Sequence, residues 1–379
     1  MNALGVYIHV PFCKSKCAYC DFYSLAHRDP AGYADALIRQ IKSKRSAFHG
    51  KFVDSIFIGG GTPSLLPPED IADVIDALRS YADVTKNAEI TIEANPGTLD
   101  SARLSAYRTA GINRLSIGLQ SADDEELFML SRIHTKKEFE QSFMLARVEG
   151  FDNINVDIMY ALPFQTLEKI TRTLEFVADI SPEHVSFYGL KIEENTPFGR
   201  HPNIDHTLPD EDTQVKMYIN SCKFFEALGL KQYEISNFAR SGRECRHNLK
   251  YWQNLDFIGF GPGAHSMVDM RMYSYKRDLS LFMAGPTNEA ALLDDDYELS
   301  VRAAAVQYVM LAMRTTRGVN KSEYFSRFGV DFEKKYGAAI APYVEKKLMA
   351  TDGESYHLTR RGMLVSNMIL SDLLDFEEK

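Results

Sequence analysis

Short β-rich apolar runs alternate with longer stretches of helical periodicity through the first half of the chain. The runs have the length and the branched or aromatic content of buried strands, and they lie at Gly5–Val10, Ser55–Ile58, Glu89–Glu93, Arg114–Leu119, Asn153–Met159 and Val185–Leu190. Apolar residues recur at helical spacing between them, at Tyr33–Ser46, Pro68–Tyr81, Asp100–Ala110, Lys136–Glu149 and Leu167–Ile180. The alternation predicts right-handed βαβ units and a parallel sheet.

Unusual polar residues follow the six predicted strands and help to decide between two arrangements of this sheet. In chain order the strand ends carry three cysteines, a Gly-Gly-Gly-Thr-Pro run, Glu93 with Asn95, Gln120 with Ser121, Asp157, and Lys191 with Glu193. A doubly wound sheet places a site only at its switch point. A barrel brings every strand end to one mouth. We therefore expect an α/β fold built on a partial (βα)6 TIM-like barrel.

The pattern changes beyond Lys191. Residues 192–210 are loop-like, and a helix at Asp210–Leu228 and a strand at Tyr233–Ser236 are predicted to follow. The G-x-G-x-G run at 259–263 contains Pro262 and does not match a dinucleotide fingerprint, so it predicts a tight loop near the site. From about Leu293 the chain is expected to be mostly helical, with a β-like piece at 356–359 before the last helix.

This order predicts three parts. Residues 1–230 form the barrel, and residues 231–292 cover the site and carry an HNxxYW motif. Residues 293–379 form a small, mostly helical, winged-helix-like module.

Composition limits the classes of protein that this chain can belong to. The 379 residues are 45% hydrophobic and 25% charged, which is ordinary for a soluble globular protein. A net charge of −9 argues against nucleic-acid binding. No run approaches the ~20 apolar residues of a membrane span, and no basic region precedes the first apolar stretch. We expect a cytoplasmic protein, while a homodimer and a peripheral membrane contact are left open.

Three of the five cysteines form a C-x3-C-x2-C cluster, Cys13, Cys17 and Cys20, just after the first strand. Such clustering fits a reducing compartment, and soft thiolates select zinc or iron–sulfur clusters. A zinc knuckle needs a fourth ligand, yet Cys222 and Cys245 lie roughly two hundred residues further along the chain. A disulfide would leave one thiol over. A four-iron cluster on three cysteines is the favoured interpretation, and it leaves one iron open to a small molecule.

An open iron can chelate an amino acid, and the polar strand ends suit a ligand that also carries a nucleoside. The backbone N–H groups of Gly59–Gly61 can cradle a carboxylate or orient an amine. Glu93 can accept hydrogen bonds from a ribose diol, and Arg132 can pair with a carboxylate. Each of these has an alternative interpretation. Gly59–Gly61 can be a plain βα turn, Glu93 can be a solvated carboxylate, and Arg132 can be a charge on a helix surface.

Asp157 carries more weight because it lies in an otherwise apolar strand, where a buried carboxylate needs partners. Gln120 is a neutral donor and acceptor at a strand end. Tyr7 and Tyr19 flank the cysteines, where they can pack against a ligand or simply belong to the core.

Together these motifs resemble the radical S-adenosylmethionine superfamily, and more closely its oxygen-independent coproporphyrinogen oxidase group. The matching stretches are Tyr7–Cys13, Ile58–Pro63, Glu93–Pro96, Ser116–Ser121 and Asp157–Thr166. The resemblance implies a [4Fe-4S] cluster on Cys13, Cys17 and Cys20, with S-adenosylmethionine on the fourth iron. It implies ligand contacts from Tyr7, Tyr19, Gly60, Gly61, Thr62, Glu93, Gln120, Arg132 and Asp157. An electron from such a cluster cleaves the sulfonium to give a deoxyadenosyl radical.

Three departures narrow the resemblance to the haem chaperones of this group. Phe22 stands where the oxidases carry a further cysteine, the chain begins almost directly at its first strand, and His247–Trp252 reads HNLKYW. The resemblance implies that the chain binds haem and passes it to acceptor haem proteins, for which respiratory proteins are candidates. The resemblance makes His247 the haem-binding residue, and an imidazole is a common axial ligand of haem iron.

Several alternatives stay open at this point. Tyr251 and Trp252 are expected to pack on a porphyrin face, with Cys245 and His265 as rival axial ligands. His247 can also be an ordinary hydrogen-bonding residue. Instead of a chaperone, the chain can be a radical enzyme that decarboxylates or otherwise modifies a tetrapyrrole. It can also hold its cluster as a structural or redox element without S-adenosylmethionine.

Overall fold

Six parallel strands form the centre of the structure, a computed structural model that describes residues 2–285 and 289–378. They are β1 Asn2–Val10, β2 Lys51–Gly60, β3 Asp83–Ala94, β4 Arg114–Gln120, β5 Ile154–Tyr160 and β6 His184–Gly189. Each strand pairs in parallel with the next one along the chain. A doubly wound sheet reverses its strand order at a switch point, whereas this order runs one way and keeps the right-handed crossovers on one face. The predicted partial barrel is therefore confirmed.

Helices connect the strands and cover the outside of the barrel. They are α1 Tyr33–Ser43, α2 Pro68–Tyr81, α3 Ser101–Ala110, α4 Asp124–Met129, α5 Lys136–Val148, α6 Leu167–Ile180 and α7 Glu211–Ala227. Alternate strand residues such as Val6 and Ile8 are buried against helix residues such as Leu37. Their neighbours Tyr7 and His9 point to the barrel interior, because successive side chains of a strand face opposite sides.

Further strands extend the sheet beyond both edges of the barrel. They are β7 Lys231–Gln232, β8 Asn237–Ala239, β9 Phe257–Phe260, β10 His265–Val268, β11 Arg271–Tyr275 and β12 Leu293–Glu298. The order of the twelve strands is β12-β11-β10-β9-β1-β2-β3-β4-β5-β6-β8-β7. On their outer edges β1 pairs with β9 and β6 pairs with β8, so within the described part of the chain β1 and β6 do not meet and the barrel stays open.

Three sequence predictions fail in this region. The strand predicted at Tyr233–Ser236 is wrong, because those residues connect β7 to β8. Gly259 belongs to β9, a strand that the sequence pattern did not reveal. Leu293–Glu298 is a strand paired with β11, where mostly helix was expected. Two short helices also lie here, α8 Arg246–Trp252 and α9 Leu279–Ala284.

The C-terminal part has its own core. Its elements are α10 Val301–Ala312, β13 Val319–Asn320, α11 Lys321–Phe328, α12 Phe332–Glu345, β14 Met349–Thr351, β15 Ser355–Leu358, α13 Arg360–Leu364 and α14 Ser366–Glu378. Helices α10–α12 followed by the β14–β15 hairpin give the winged-helix-like order that was predicted. Arg327 on α11 donates to the carbonyl oxygens of Gln253 and Asn254 (2.8 Å each), just beyond α8. In residues 2–285 and 289–378, no helix is long and apolar enough to cross a membrane.

Candidate functional site

The three clustered cysteines lie on a loop that leaves the end of β1. Phe12–Cys13 and Leu25–Ala26 pair in parallel and close the base of this loop. Backbone hydrogen bonds fix its middle, because Ala18 N–H donates to Leu130 O (3.1 Å) and Phe198 N–H donates to Ala18 O (2.9 Å). All three thiols are free, partly exposed and turned to one cavity.

Hydrogen bonding and burial act in opposite directions on the charge of the sulfur atoms. Thr62 Oγ1 donates to Cys13 Sγ (3.6 Å) and the Arg132 guanidinium donates to Cys17 Sγ (3.5 Å). Burial acts against this and raises the pKa of the Cys13 and Cys20 thiols. Hydrogen-bond donors and a cation beside a sulfur stabilise the thiolate, which is the form that binds metal.

The donor set fits a cluster better than a single ion. In the part of the chain that the structure describes, no three His, Cys, Asp or Glu side chains are placed to hold one metal ion. Three thiols that share a cavity without a fourth protein ligand match a [4Fe-4S] cluster with one open iron. The closed tetrahedron of a zinc knuckle would need a fourth ligand.

The Gly59–Gly61 run brings β2 against β1 and the cysteine loop. A Cβ on Gly61 would lie 2.6 Å from Phe12 O and 2.8 Å from Val10 O, so only glycine fits there. Gly60 has φ +111° and its N–H donates to Glu93 Oε2 (2.9 Å), while Gly61 N–H donates to Val10 O (2.8 Å). Thr62 N–H is also bonded within the protein. At Gly60 and Gly61 the expected N–H cradle is therefore wrong, because these two donors are already hydrogen-bonded within the protein.

Two carboxyl side chains, Glu93 and Asp157, lie in the barrel mouth and repel each other electrostatically. Glu93 is the penultimate residue of β3, and burial raises the pKa of its carboxyl to about 7, with repulsion from Asp157 acting in the same direction. Asp157 lies in the middle of β5 and accepts hydrogen bonds from Asn155 Nδ2 (2.8 Å) and Ser116 Oγ (3.3 Å). Burial raises the pKa of Asp157 as well. Both carboxylates line the cavity, so a ligand with hydroxyl or amino donors would relieve their desolvation.

The raised pKa of Glu93 predicts a pH-dependent effect of Glu93→Gln. The pKa of the Glu93 carboxyl is about 7 in the folded chain, against an ordinary value of 4.5. Protonated Glu93 therefore stabilises the fold fully below pH 4.5, and this stabilisation is lost as the pH rises from 4.5 to about 7. Glutamine keeps an acceptor for Gly60 N–H and stays neutral. We expect the variant to gain about 1–3 kcal/mol over the wild type between pH 5 and pH 8.

Urea unfolding of both cluster-free chains at the two pH values measures this difference. Glu234 also has a pKa raised to about 7 by burial, but it is present in both chains and cancels. Glu175→Gln, on an exposed position of α6, is the control and should show no pH-dependent gain. If the difference in unfolding free energy between Glu93→Gln and the wild type is the same at pH 5 and pH 8, Glu93 does not titrate between these pH values.

Arg132 ties three parts of the site together. It lies in the loop after α4, not on a helix surface, and its guanidinium donates to Asn95 Oδ1 (2.6 Å) and Gly118 O (3.0 Å) as well as to Cys17. The alternative of a surface helix charge is therefore wrong. Gln120, at the end of β4, has φ +69° and accepts a hydrogen bond from the Tyr188 hydroxyl (3.0 Å).

One cavity of about 890 Å³ collects these groups at the C-terminal ends of the barrel strands. Its wall contains every residue that the sequence placed at the cluster and at S-adenosylmethionine: Tyr7, Cys13, Cys17, Tyr19, Cys20, Gly60, Gly61, Thr62, Glu93, Gln120, Arg132 and Asp157. The wall also contains residues that the sequence did not assign to the ligand site, among them His9, Tyr23, Ser186, Tyr188 and Arg277. The barrel-interior positions of β1 and β6 were the signal for His9, Ser186 and Tyr188.

His247 adjoins this cavity without being part of its wall. It lies on α8 and is fully buried, with its ring near the ring of Tyr7 (6.5 Å between centroids). Its Nδ1 is hydrogen-bonded with Ser55 Oγ (3.1 Å) and its Nε2 with the Tyr251 hydroxyl (2.8 Å). Burial lowers the pKa of His247 to about 3. Its haem role stays a prediction, and the imidazole would have to give up one of these bonds to reach an iron.

The other residues expected near a porphyrin divide into two groups. Cys245 is fully buried, and its thiol donates to Glu89 Oε1 (3.5 Å). Trp252 is likewise absent from the cavity wall. Tyr251 and His265 line the cavity, and Phe22 lies at its edge with 69% of its surface exposed.

Two family models match the chain. The radical SAM superfamily matches residues 7–177, which contain β1 to β5 and the three cysteines. The HemN C-terminal domain matches residues 299–365, within the part that has its own core.

Relatives named heme chaperone HemW match almost the whole length. The protein of Haemophilus influenzae is 32% identical over 99% of this chain and 98% of its own, and that of Bacillus subtilis is 31% identical over 98% and 99%. The Escherichia coli protein is 41% identical over 268 residues, 70% of each chain. This chain belongs to the HemW family. As a radical SAM family, the HemW family uses a [4Fe-4S] cluster and S-adenosylmethionine as cofactors.

A solved structure agrees on the fold. Coproporphyrinogen III oxidase (HemN) of Escherichia coli, described as a radical SAM enzyme, superposes with a TM-score of 0.85 over 98% of this chain and 90% of its own. The two sequences are 23% identical, so the likeness shows a shared fold and leaves open which chemistry this HemW-family chain performs.

Proposed function

We propose that this chain binds haem and delivers it to acceptor haem proteins, on a scaffold that carries a [4Fe-4S] cluster and S-adenosylmethionine. The observation that carries the proposal is the match to proteins named heme chaperone HemW over 98–99% of the chain. The cavity supports it, because about 890 Å³ is near the upper end of the ~300–1,000 Å³ that small-molecule sites occupy. Such a volume accommodates S-adenosylmethionine together with part of a second ligand.

The cofactors would be held by residues of the cavity wall. We infer that Cys13, Cys17 and Cys20 ligate the cluster, which when bound supplies an electron for cleavage of S-adenosylmethionine. The N–H groups of Gly60, Gly61 and Thr62 already donate hydrogen bonds within the protein. An amino group of the ligand beside them therefore needs acceptor oxygens as its partners.

The remaining contacts follow from the charges on the wall. Glu93 and Asp157 accept from hydroxyl groups, Gln120 serves as a neutral partner, and Arg132 pairs with a carboxylate. Tyr7 and Tyr19 pack against the ligand, since both line the cavity beside the cysteine loop.

The alternative function is an oxygen-independent coproporphyrinogen oxidase or another radical enzyme that modifies a tetrapyrrole. It shares the cavity and the fold. It is disfavoured because Phe22, exposed at the edge of the cavity, offers an apolar ring where those oxidases carry a cysteine thiol.

An anaerobic assay separates the two functions. The cluster is reconstituted, haemin is titrated, and the Soret band is followed. A parallel reaction contains coproporphyrinogen, reductant and S-adenosylmethionine, and deoxyadenosine and protoporphyrinogen are measured. We expect stoichiometric haem uptake and no protoporphyrinogen. Porphyrinogen turnover, or no haem uptake at all, would contradict the chaperone function.

The setting of this function is also a proposal. We propose a cytoplasmic site of action, respiratory haem proteins among the acceptors, and a homodimer that docks peripherally on a membrane to reach them. The free thiols of all five cysteines fit a reducing compartment.

A further inference from the structure

We propose that His265 and Arg277 form a metalloporphyrin subsite on the cavity wall, with the His265 imidazole on the iron and Arg277 on a porphyrin carboxylate. The inference rests on the proposed haem function and adds to it the place where haem is held. It does not involve His247, which is buried behind the wall.

The glycine-rich run at 259–263 delivers His265 to the cavity. A Cβ on Gly259 would lie 2.3 Å from His265 O, and a Cβ on Gly261 would lie 2.6 Å from His9 O. Gly261 and Gly263 have φ +94° and +80°, so the chain turns sharply between β9 and β10. Only glycines allow this turn to approach the end of β1 so closely. The turn explains a motif that neither the cluster nor S-adenosylmethionine requires.

His265 is the available imidazole of the cavity. Two histidines, His9 and His265, are found among the described residues of the wall. Both ring nitrogens of His9 are already hydrogen-bonded, Nδ1 with the Tyr7 hydroxyl (3.0 Å) and Nε2 with Tyr23 O (2.8 Å). The His265 ring makes no hydrogen bond within the described chain, and the residue is exposed at the first position of β10. Partial burial of the ring against the cavity wall and the charge of Arg277 lower the pKa of His265, so its imidazole keeps a lone pair free for a metal.

Arg277 supplies the complementary charge. It lies close enough to His265 to lower the pKa of that imidazole, and its side chain lies beside Gly263 together with that of Tyr23. Among residues 2–285 and 289–378 its guanidinium makes no hydrogen bond or ion pair. A guanidinium without a partner at a cavity edge is suited to the carboxylate of a ligand, which it binds with paired N–H donors.

The position of the pair leaves room for S-adenosylmethionine. His265 and Arg277 follow β9 and β11, on the β1 side of the cavity, whereas Gln120, Arg132 and Asp157 belong to the β4–β5 side. The cysteine loop meets the β1 side at Tyr23, which lies beside Gly263 together with Arg277, and it meets the β4–β5 side at Cys17, which accepts from Arg132. A porphyrin on the β1 side would therefore sit beside the cluster rather than in the place of the nucleoside.

The test is a haemin titration of the reconstituted full-length chain carrying His265→Ala, Arg277→Met, His247→Ala or the exposed His49→Ala. We expect His265→Ala to bind haemin at least about tenfold more weakly, with a shifted Soret band that added imidazole restores. Arg277→Met should lose affinity with an unchanged Soret position, and it should equal the wild type with haemin dimethyl ester, which lacks free carboxylates. His49→Ala should behave as the wild type.

The outcomes distinguish this subsite from the haem function itself. If the wild type and His49→Ala bind haemin while His265→Ala binds it equally well with the same spectrum, the subsite is overturned and the function stands. The same conclusion follows if His247→Ala alone removes the axial ligand. If the wild type takes up no haemin, the function and the subsite both fail. Binding of S-adenosylmethionine should be unchanged in His265→Ala, which excludes general damage to the cavity.

Discussion

A chain that carries Cys17→Ala is expected to hold no [4Fe-4S] cluster and to release no deoxyadenosine from S-adenosylmethionine. Cys13, Cys17 and Cys20 are the three thiols on the described wall of the cavity, so the loss of one leaves two irons of a four-iron cluster without a thiolate ligand. Cys17 also accepts from Arg132 (3.5 Å), and its removal frees that guanidinium from the loop. The fold should survive, because Cys17 is partly exposed and the loop is fixed by backbone hydrogen bonds at Ala18.

Iron and sulfide analysis, the visible spectrum and deoxyadenosine release after anaerobic reconstitution measure this effect. The matched control is Cys222→Ala, which removes a thiol buried in the main core and away from the cavity. It should lower stability modestly and leave cluster content unchanged. A Cys17→Ala chain that retains the cluster and cleaves S-adenosylmethionine would show that the ligand assignment is wrong.

The barrel could be predicted from sequence because its signals are local. Each parallel strand is a buried β-rich run, and polar residues such as Glu93 and Gln120 stand where the runs end. Parallel strands put those ends at one mouth, so a pattern of single residues became a prediction about one cavity. The cavity wall contains all twelve residues assigned to the cluster and to S-adenosylmethionine, although the bonds that each makes to a ligand stay a prediction.

The failures came from groups whose partners are distant in sequence. The N–H groups of Gly60 and Gly61 were expected to face a ligand, but Glu93 and Val10, on other strands, accept from them. The short strands β9 to β12 have little periodicity of their own and exist because they extend the sheet from the free edge of β1. Tertiary pairing of this kind overrides local propensity.

Partners that are distant in sequence also explain why the sequence did not reveal the burial of His247. Its motif was visible in the sequence, but its burial depends on Ser55 and Tyr251, which bond both ring nitrogens inside the barrel. Glu89 accepts from the backbone N–H groups of Arg246 and His247 (3.1 Å each) and so anchors the start of α8 there. Access of haem iron to His247 therefore requires its imidazole to give up the bond with Ser55 or with Tyr251, whereas the His265 ring makes no hydrogen bond within the described chain.

We expect Asp157→Asn to separate ligand binding from cluster assembly. The asparagine keeps the size of the side chain and one acceptor oxygen for Asn155 or Ser116, but it removes the charge that would accept hydrogen bonds from a ribose. A hydrogen bond to a charged group is worth about 1.5–3 kcal/mol, so S-adenosylmethionine should bind roughly 10–100-fold more weakly. The cluster should form normally, because no described hydrogen bond joins Asp157 to the cysteine loop. Stability at neutral pH should not fall, because burial raises the pKa of Asp157 and thus disfavours its charged form.

Equilibrium binding of S-adenosylmethionine to the reconstituted chain, beside iron content and urea unfolding, gives the three readouts. Asp179→Asn, at an exposed position of α6, is the control and should match the wild type in all three. Unchanged S-adenosylmethionine affinity in Asp157→Asn would remove this carboxylate from the ligand site, and loss of the cluster would show that it supports the cysteine loop instead.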